Sequence, residues 1–353
     1  MKTDKVEQIK AHAQAIAELL YEETDPEQVK TLEGIEESVR KHLIDYVNPE
    51  VGKIFISSSS GTEAGRKRTV KSIIGCLTIT EKQAKKLAVK SRTRWSPYLE
   101  KCCLLLSANE SYQRAEEDIQ VLTGIKVAHG TQHRMVHRQN FRLLRVETKV
   151  SEVSIDGGKV RLRTPQGQPC QWRDYKAVNL HKLGVEAFFQ ENDTLAEWVN
   201  QQPSSKPLIC LGDGHQGIWN IFAMIGDWEK RREILDWYHL VENLGKVGGS
   251  IKRLDRIEAW LWKGKVDEAI KEFADWEQGK VNNFISYLNQ HRHRIVNYDY
   301  YQSEGISIGS GTIESTIKQI GRRVKISGSQ WKTENVSQVL LHRCAYLNGC
   351  FSA

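Results

Sequence analysis

Two stretches of the chain decide the fold: Glu152–Val160 reads EVSIDGGKV, and Pro207–His215 reads PLICLGDGH. The first alternates apolar and polar residues, which predicts a β-strand ending in Asp156-Gly157-Gly158. The second is a short apolar run, typical of a buried strand, that leads into Gly212-Asp213-Gly214. Each of the two aspartates is therefore expected at the tip of a strand.

A third acidic residue, Glu314, lies much further along the chain. Gly309–Ser315 reads GSGTIES, in which glycines and a Ser/Thr cap precede the acid and predict the start of a helix. Two strand-end aspartates and a helix-borne glutamate form a carboxylate set suited to two divalent metal ions beside a phosphodiester. Each acid taken alone has a plainer explanation, since Asp-Gly often forms a turn and a first-turn glutamate complements the helix dipole.

The part of the chain around these acids predicts an α/β core. The expected elements are strands at Val146–Asp156, Lys159–Arg163 and Tyr175–Leu180, a helix from Asp193 to Gln202, a strand at Leu208–Leu211, a helix at Ile218–Met224 and a strand at Arg232–Tyr238. Gly157-Gly158 fits the turn of a hairpin between the first two strands. A helical block from Leu240 to about Tyr300 and two final helices follow. The order β-β-β-α-β-α-β, a helical insert and an acid-bearing helix predicts a ribonuclease H-like catalytic core, a mixed sheet flanked by helices.

The first part of the chain is predicted to be mainly helical. Residues 4–47 and 96–140 show helical periodicity, Ser57–Gly61 suggests a loop or hinge, and Thr69–Ile79 alternates like a small hairpin. The expected domain organisation is a helical and basic region at 1–95, a helix-turn-helix-like region at 96–142, the first part of the core at 143–240, an all-α insertion at 241–303, and the Glu314 helix with the C-terminal helix at 304–353.

The segment from Ser111 to Arg138 resembles a helix-turn-helix, with Gly124 between its two helices. Arg134, His137 and Arg138 lie on one side of the second helix and are candidates for contact with DNA. A plain helical hairpin inside a bundle explains the same pattern equally well.

Composition limits the classes of function. The chain has 353 residues, of which 39% are hydrophobic and 27% charged, and its net charge of +7 permits a polyanionic partner. No apolar run approaches the roughly 18 residues of a membrane span, and the N-terminus has no apolar signal core. Seven scattered cysteines contain no C-x-x-C pair, which argues against a cysteine-only zinc site. We therefore expect no membrane association and a cytoplasmic location.

Four motifs in a fixed order resemble those of one protein family. They are Ile155-Asp156-Gly157, DGHQGIW at Asp213–Trp219, DWYHL at Asp236–Leu240, and the segment from GSGTIES to RRVKISGSQW at Gly309–Trp331. This set is similar to DDE-type insertion-sequence transposases, in particular the bacterial Kra and Lre types, which are distant relatives of the Mutator-like transposases. The resemblance extends over roughly Trp95 to Trp331. His215 departs from it, because that group often has a small or apolar residue there.

The resemblance implies a ribonuclease H-like core in which Asp156, Asp213 and Glu314 form a catalytic triad holding two Mg²⁺ (or Mn²⁺) ions. It implies DNA partners, namely terminal inverted repeats and target DNA, and a homodimer or larger assembly on DNA. His239, near the end of the fifth predicted strand, is expected either near the scissile phosphate or bracing a catalytic carboxylate. A Tyr-His pair that caps the strand is the alternative. His215 is a candidate phosphate contact or a simple loop residue.

The Glu314 helix is predicted to carry positive charge along one face. Lys318, Arg322 and Lys325 follow Glu314 at helical spacing, and Arg323 adds to the same basic segment. Such a face suits a phosphate backbone that enters the site, although a solvated basic face has the same pattern. Trp331 is expected to pack under this helix rather than stack on a base, and His291 and His293 are expected at the surface.

The expected function is therefore a DNA transposase that cleaves and joins strands at the ends of its own element. Two alternatives remain from the sequence: a nuclease on the same core, and a co-opted DNA-binding protein that has no catalytic role.

Overall fold

The computed structural model describes residues 3–61, 65–276 and 279–351. The chain divides into two compact units. The first comprises residues up to Ser107 together with Ser111–Met135, and the second comprises Ala108–Glu110 and the chain from Val136 onward.

The first unit is mainly helical, as the sequence predicts. Its elements are α1 (Thr3–Glu22), α2 (Leu32–His42), a π-helical turn (Leu43–Val47), α3 (Asn48–Ser60), β1 (Lys67–Ser72), β2 (Gly75–Thr80), α4 (Glu81–Lys86), α5 (Pro97–Ser107), α6 (Tyr112–Thr123) and α7 (His129–Arg138), of which α7 continues into the second unit. Strands β1 and β2 pair antiparallel. The predicted small hairpin is confirmed.

The serine-rich stretch before Gly61 is helical, so the prediction of a loop from Ser57 was wrong. The Ser60 hydroxyl donates to the carbonyl of Ile56, 2.5 Å away, a bond within the helix that such a serine can make. Helix α3 ends at Gly61, whose φ of 79° only glycine adopts readily.

The second unit contains a five-stranded mixed sheet. Its strands are β3 (Val150–Leu162), β4 (Gln171–Asn179), β5 (Val185–Phe188), β6 (Ser204–Gly212) and β7 (Arg231–Leu235), and they lie in the order β5-β4-β3-β6-β7. Strands β3, β4 and β5 pair antiparallel, whereas β3, β6 and β7 pair parallel. Strand β5 was not predicted. The predicted fifth strand ends three residues early, because Asp236 already caps a helix.

Gly157-Gly158 is not a turn, which corrects the predicted hairpin. Strand β3 runs through both glycines, and the chain reverses only after Leu162. Gly158 lies opposite Tyr175 on β4, and a Cβ on Gly158 would come within 2.2 Å of the Tyr175 ring. The glycine is therefore needed because an aromatic ring from the neighbouring strand covers it, a cross-strand pairing known to compensate for glycine in a sheet.

Helices complete the second unit. They are α8 (Asn192–Asn200), α9 (Gln216–Ala223), α10 (Trp237–Gly245), α11 (Ile251–Trp262), α12 (Val266–Lys271), α13 (Gly279–Gln290), α14 (Tyr298–Ser303), α15 (Gly311–Val324) and α16 (Thr333–Leu347), with short 3₁₀ turns at Trp228–Lys230 and Arg292–Arg294. The predicted helical block from Leu240 to Tyr300 corresponds to α10–α14. Apolar side chains of the sheet and of these inserted helices form one continuous core.

The second unit is thus a mixed α/β structure whose five-stranded sheet is flanked by helices, compatible with the core that the sequence predicts. Among the residues that the structure describes, no helix has both the length and the apolar character that a membrane crossing requires.

Candidate active site

Three aspartates lie at one level across the three parallel strands. Ser154 on β3 pairs with Leu211 on β6, so that Asp156 and Asp213, two residues further on, lie side by side. Gly212 pairs with Leu235 on β7, which places Asp236 beside Asp213. The parallel direction of the strands brings all three acids to the same region of the sheet.

Asp156 is half-buried, and its Oδ1 accepts a hydrogen bond from the amide of Gly157 at 2.5 Å. Burial raises the pKa of Asp156 and outweighs this hydrogen bond, and the negative charge of Asp213 adds to the increase. The positive charges of His239 and Lys176 act in the opposite direction. Asp156 and Asp213 are therefore close enough to repel each other. A bound cation would reduce this repulsion.

Asp213 follows β6 in a turn that His215 closes. The Asp213 Oδ1 accepts from the His215 amide at 2.9 Å, and the His215 Nδ1 accepts from the Gly217 amide at 3.1 Å. His215 is thus the N-cap of α9, and its side chain is exposed. With Nδ1 occupied as an acceptor, Nε2 is left to face solvent or a ligand. Contact between His215 and DNA remains a prediction.

Asp236 is a fully buried acid whose place in the site the sequence did not predict. Its Oδ2 accepts from the amide of Ser310, its Oδ1 accepts from the amide of His239 at 2.7 Å, and its own amide donates to the carbonyl of Gly212 at 2.9 Å. Burial opposes its ionisation, but the hydrogen bonds from His239 and Ser310 hold its pKa below the usual range. Asp236 therefore ties the end of β6, the start of α10 and the loop before α15 together.

His239 lies among the acidic residues of the site. Its Nδ1 lies 3.2 Å from Asp236 Oδ1. The interaction with Asp236, against the opposing effect of burial, raises the pKa of His239 to about 9, and the charges of Asp213 and Glu314 add to the increase. The ring is consequently an imidazolium at neutral pH. It interacts electrostatically with Asp156, Asp213 and Glu314, the three acids that the sequence predicted for the site.

Glu314 lies in the first turn of α15 and is partly exposed. Helix α15 packs against β3 and β4 through its buried Ile313 and Ile320, and the Asn179 amide on β4 donates to the Thr316 hydroxyl at 2.9 Å. Together with the bond from Ser310 to Asp236, these contacts fix the start of α15 beside the tips of the parallel strands.

The basic face of α15 is only partly as predicted. Lys318, Arg322 and Lys325 are exposed, and Lys318 Nζ lies 3.9 Å from Glu314 Oε2. Arg323 is buried, with its guanidinium over the ring of Trp331 at 4.9 Å from the ring centroid. Arg323 is thus removed from the predicted DNA-contacting set, because a packed guanidinium cannot reach a phosphate backbone.

Trp331 packs as predicted, and its indole Nε1 donates to the carbonyl of Val324 at 2.9 Å. On α7, Arg134 and Arg138 are both exposed. Whether they contact DNA remains a prediction.

Two residues from the helical insertion reach the Asp213 turn, which the sequence did not indicate. The Tyr287 ring covers Gly214 so closely that a Cβ there would lie 2.4 Å from the ring. His291 is fully buried beside Tyr287 and Trp219, which corrects its predicted surface position. Burial and the neighbouring charge of Arg294 lower the pKa of His291 to about 4, so it is neutral. A sequence pattern could not have shown this, because the packing joins segments far apart in the chain.

The donor chemistry of the site fits hard divalent cations, since Asp156, Asp213 and Glu314 offer carboxylate oxygens and no thiol is needed. Within residues 3–61, 65–276 and 279–351, no three His, Cys, Asp or Glu side chains form a ready-made metal-binding group. The backbone thus brings Asp156 and Asp213 to one region of the sheet, beside the start of the helix that carries Glu314.

In comparisons with protein-family models and with curated protein sequences, nothing matches this chain.

Proposed function

We propose that this protein is a DDE-type DNA transposase, in which a ribonuclease H-like core cleaves and joins DNA strands at the terminal repeats of its own insertion sequence. The observation that supports it most is the level row of Asp156 and Asp213 on adjacent parallel strands, with Glu314 held nearby through Ser310 and Asp236. His239 interacts electrostatically with four acids of the site: Asp156, Asp213, Asp236 and Glu314.

Each residue has a distinct role in this proposal. Asp156, Asp213 and Glu314 would hold two Mg²⁺ or Mn²⁺ ions, which supply charge neutralisation at the phosphate and activation of water or a 3′-hydroxyl. The His239 imidazolium stabilises the clustered carboxylates and faces the phosphate that enters. Asp236 is a positioning residue, since its carboxylate is used by His239 and Ser310. The exposed Lys318, Arg322 and Lys325 follow the DNA backbone along α15.

Two consequences extend beyond the site. Pairing the two ends of an element requires two active sites, so we propose a homodimer or larger assembly on DNA. The DNA substrate places the working protein at the nucleoid in the cytoplasm.

Cleavage of DNA that carries the sequence flanking the coding region, in the presence of Mn²⁺, tests the proposal. We expect D156N, D213N and E314Q each to reduce strand cleavage at least 100-fold, because each removes a metal-binding oxygen. The control is D174N, which changes an exposed aspartate on β4 and should cleave like the wild type.

The products discriminate among the functions. Joined strands support a transposase, whereas free 3′ ends without any joined product support a nuclease on the same core. DNA binding without cleavage by the wild-type protein would overturn the catalytic proposal in favour of a DNA-binding role.

A further inference from the structure

The first helices of the chain carry an apolar surface that the first unit does not bury. Among the residues that the structure describes, none in α1, α2 or the π-helical turn after α2 is buried. Six of their large apolar side chains are at least half exposed: Ile9, Leu19, Tyr21, Leu32, Val39 and Tyr46. Helices in proteins gain most of their stability by packing an apolar face, and exposed apolar patches mark interaction sites. We therefore expect this surface to be covered by a partner.

A groove with a volume of about 740 Å³ lies between α1 and α2. Apolar side chains from both helices and from the π-helical turn line it: Ile16, Leu20, Ile35, Val39 and Leu43. The Thr24 hydroxyl, just after α1, lies 2.8 Å from Nε2 of His42 at the end of α2. This hydrogen bond joins the two helices, so the groove does not depend on apolar contacts alone.

Helix α3 has an apolar ridge that complements the groove. Val51, Ile54 and Phe55 follow the i, i+3, i+4 spacing of one helix face and are 47%, 66% and 70% exposed. Another side of α3 already packs on the small hairpin, since Gly52 is buried and a Cβ there would lie 2.9 Å from Leu77. A helix that is apolar on several sides is usually buried, so the ridge should be covered as well. None of the three ridge residues, all within the described chain, lines the groove.

We propose that α1–α3 form a self-association surface, in which the ridge of one copy of this chain packs into the groove of a second copy. A two-fold axis makes this contact twice, because the second copy places its ridge in the groove of the first. Such a closed pair removes both apolar features of both copies from water, whereas a partner that fills only the groove leaves the ridge exposed. Phe55 is the aromatic anchor of each contact. The pairing goes beyond the proposed function, since it needs neither DNA nor metal ions.

Sedimentation velocity of the full-length protein at about 1–100 µM, in EDTA and without DNA, tests the inference. We expect the wild type to dimerise in this range. Phe55→Lys in the ridge and Ile35→Glu in the groove should each weaken the dimer at least about 30-fold, the effect of losing one anchor residue. Both side chains are exposed in the single chain, so neither change should disturb folding, which circular dichroism and thermal unfolding check.

An equimolar mixture of the two variants distinguishes ridge-in-groove pairing from other modes of association. The Phe55→Lys chain keeps a native groove and the Ile35→Glu chain keeps a native ridge, so a mixed pair has one native contact. Its second contact places the introduced lysine beside the introduced glutamate. We therefore expect the mixture to contain more dimer than either variant alone at the same total concentration. A mixture with no more dimer than the separate variants would overturn the proposed pairing.

Matched controls separate this surface from exposed apolar residues in general. Ile251→Lys on α11 and Val121→Glu on α6 change side chains that are 75% and 69% exposed and lie outside the ridge and the groove. We expect both to sediment like the wild type. A monomeric wild type over the whole concentration range, undiminished dimers in Phe55→Lys and Ile35→Glu, or an equal loss of dimer in the controls would overturn the inference.

The outcome is separable from the proposed catalytic function. D213N keeps the whole surface and should dimerise like the wild type, even though we expect it to lose cleavage. If the wild type dimerises through the ridge and groove but never cleaves DNA, the proposed function fails while the interface stands. Cleavage by a protein that is monomeric without DNA gives the opposite result.

Discussion

Asp236 is the residue whose replacement should cost the fold most among the acids of the site. Its buried carboxylate accepts from the backbone of Ser310 and His239, so that D236N replaces an acceptor by a donor and removes the partner of an imidazolium. We expect the free energy of unfolding to fall by about 2–4 kcal/mol. Urea denaturation in EDTA measures it.

Asp227 provides the control for Asp236, because it is exposed and pairs with exposed Lys230 at the surface. D227N should leave the free energy of unfolding unchanged within the precision of the measurement, because an exposed ion pair contributes little to stability. Equal effects of D227N and D236N would show that Asp236 does not hold the site together.

The raised pKa of His239 predicts how stability depends on pH. The folded-state pKa of about 9 exceeds the ordinary value of 6.5, so the stabilisation is fully present below pH 6.5 and is lost as the pH rises through 9. Because the side chain is 33% exposed, solvent screening limits the effect to about 1–2 kcal/mol. Between pH 6 and 9.5 in EDTA, the wild type should lose that much more unfolding free energy than H239Q. Parallel pH profiles would contradict the assignment.

The raised pKa of Glu186, on strand β5, predicts a second dependence of stability on pH. Its Oε1 accepts from the Leu144 amide at 2.8 Å and from the Asn348 amide at 3.4 Å, just beyond the end of α16. Burial, only partly offset by the Leu144 hydrogen bond, raises the pKa of Glu186 to about 7. The folded state therefore binds a proton that the unfolded state has lost, and stability falls as the pH rises from about 4.5 to 7.

E186Q keeps the acceptor oxygen and removes the titration. We expect the variant to match the wild type within about 1 kcal/mol at pH 4 and to exceed it by about 1–3 kcal/mol at pH 8, as measured by denaturant unfolding at both values. A variant that is less stable than the wild type at pH 8 would show that the charged carboxylate is stabilising.

The exposed basic residues of α15 predict how DNA binding depends on salt concentration. Replacing Lys318, Arg322 and Lys325 together by glutamine should weaken DNA binding and reduce the slope of log K against log salt by about 2–3, since each phosphate contact contributes about 0.9. Filter binding between 50 and 200 mM salt measures the slope. Lys252, Lys263 and Lys271, exposed on the helical insertion, form a charge-matched control. An equal loss of slope in both triple variants would remove α15 from the DNA interface.

The elements were predictable where local pattern decides them. Apolar runs before Asp156 and Asp213 fix the strands, and the glycines and cap before Glu314 fix the start of α15. Gly157-Gly158 misled the prediction because the reason for glycine is the Tyr175 ring on a neighbouring strand. Such a reason lies in the pairing of strands and not in local sequence.

Within the site, the sequence indicated Asp156, Asp213, Glu314 and His239, but not the contacts that hold them in place. Asp236 was recognised as part of a motif, but its role as a tie depends on the Ser310 amide, 74 residues away. The burial of His291 and the contact of Tyr287 with Gly214 depend likewise on how the inserted helices fold back onto β6. The burial of Arg323 depends on the position of Trp331, which periodicity alone does not give.

The two compact units of the chain differ in what they contain. The first has most of the α-helical region that the sequence predicts to bind DNA, and the second has all three proposed metal-binding carboxylates. The net charge of +7 suits a protein whose substrate is a polyanion. The central claim concerns the second unit: Asp156, Asp213 and Glu314 act together on hard cations.

Manganese binding, followed by electron paramagnetic resonance of free Mn²⁺ during titration in the presence of DNA, tests that claim most directly. We expect two bound ions for the wild type and for D174N, and the loss of at least one ion in each of D156N, D213N and E314Q. Mn²⁺ binding by all three variants that equals the wild type in number and affinity would contradict it.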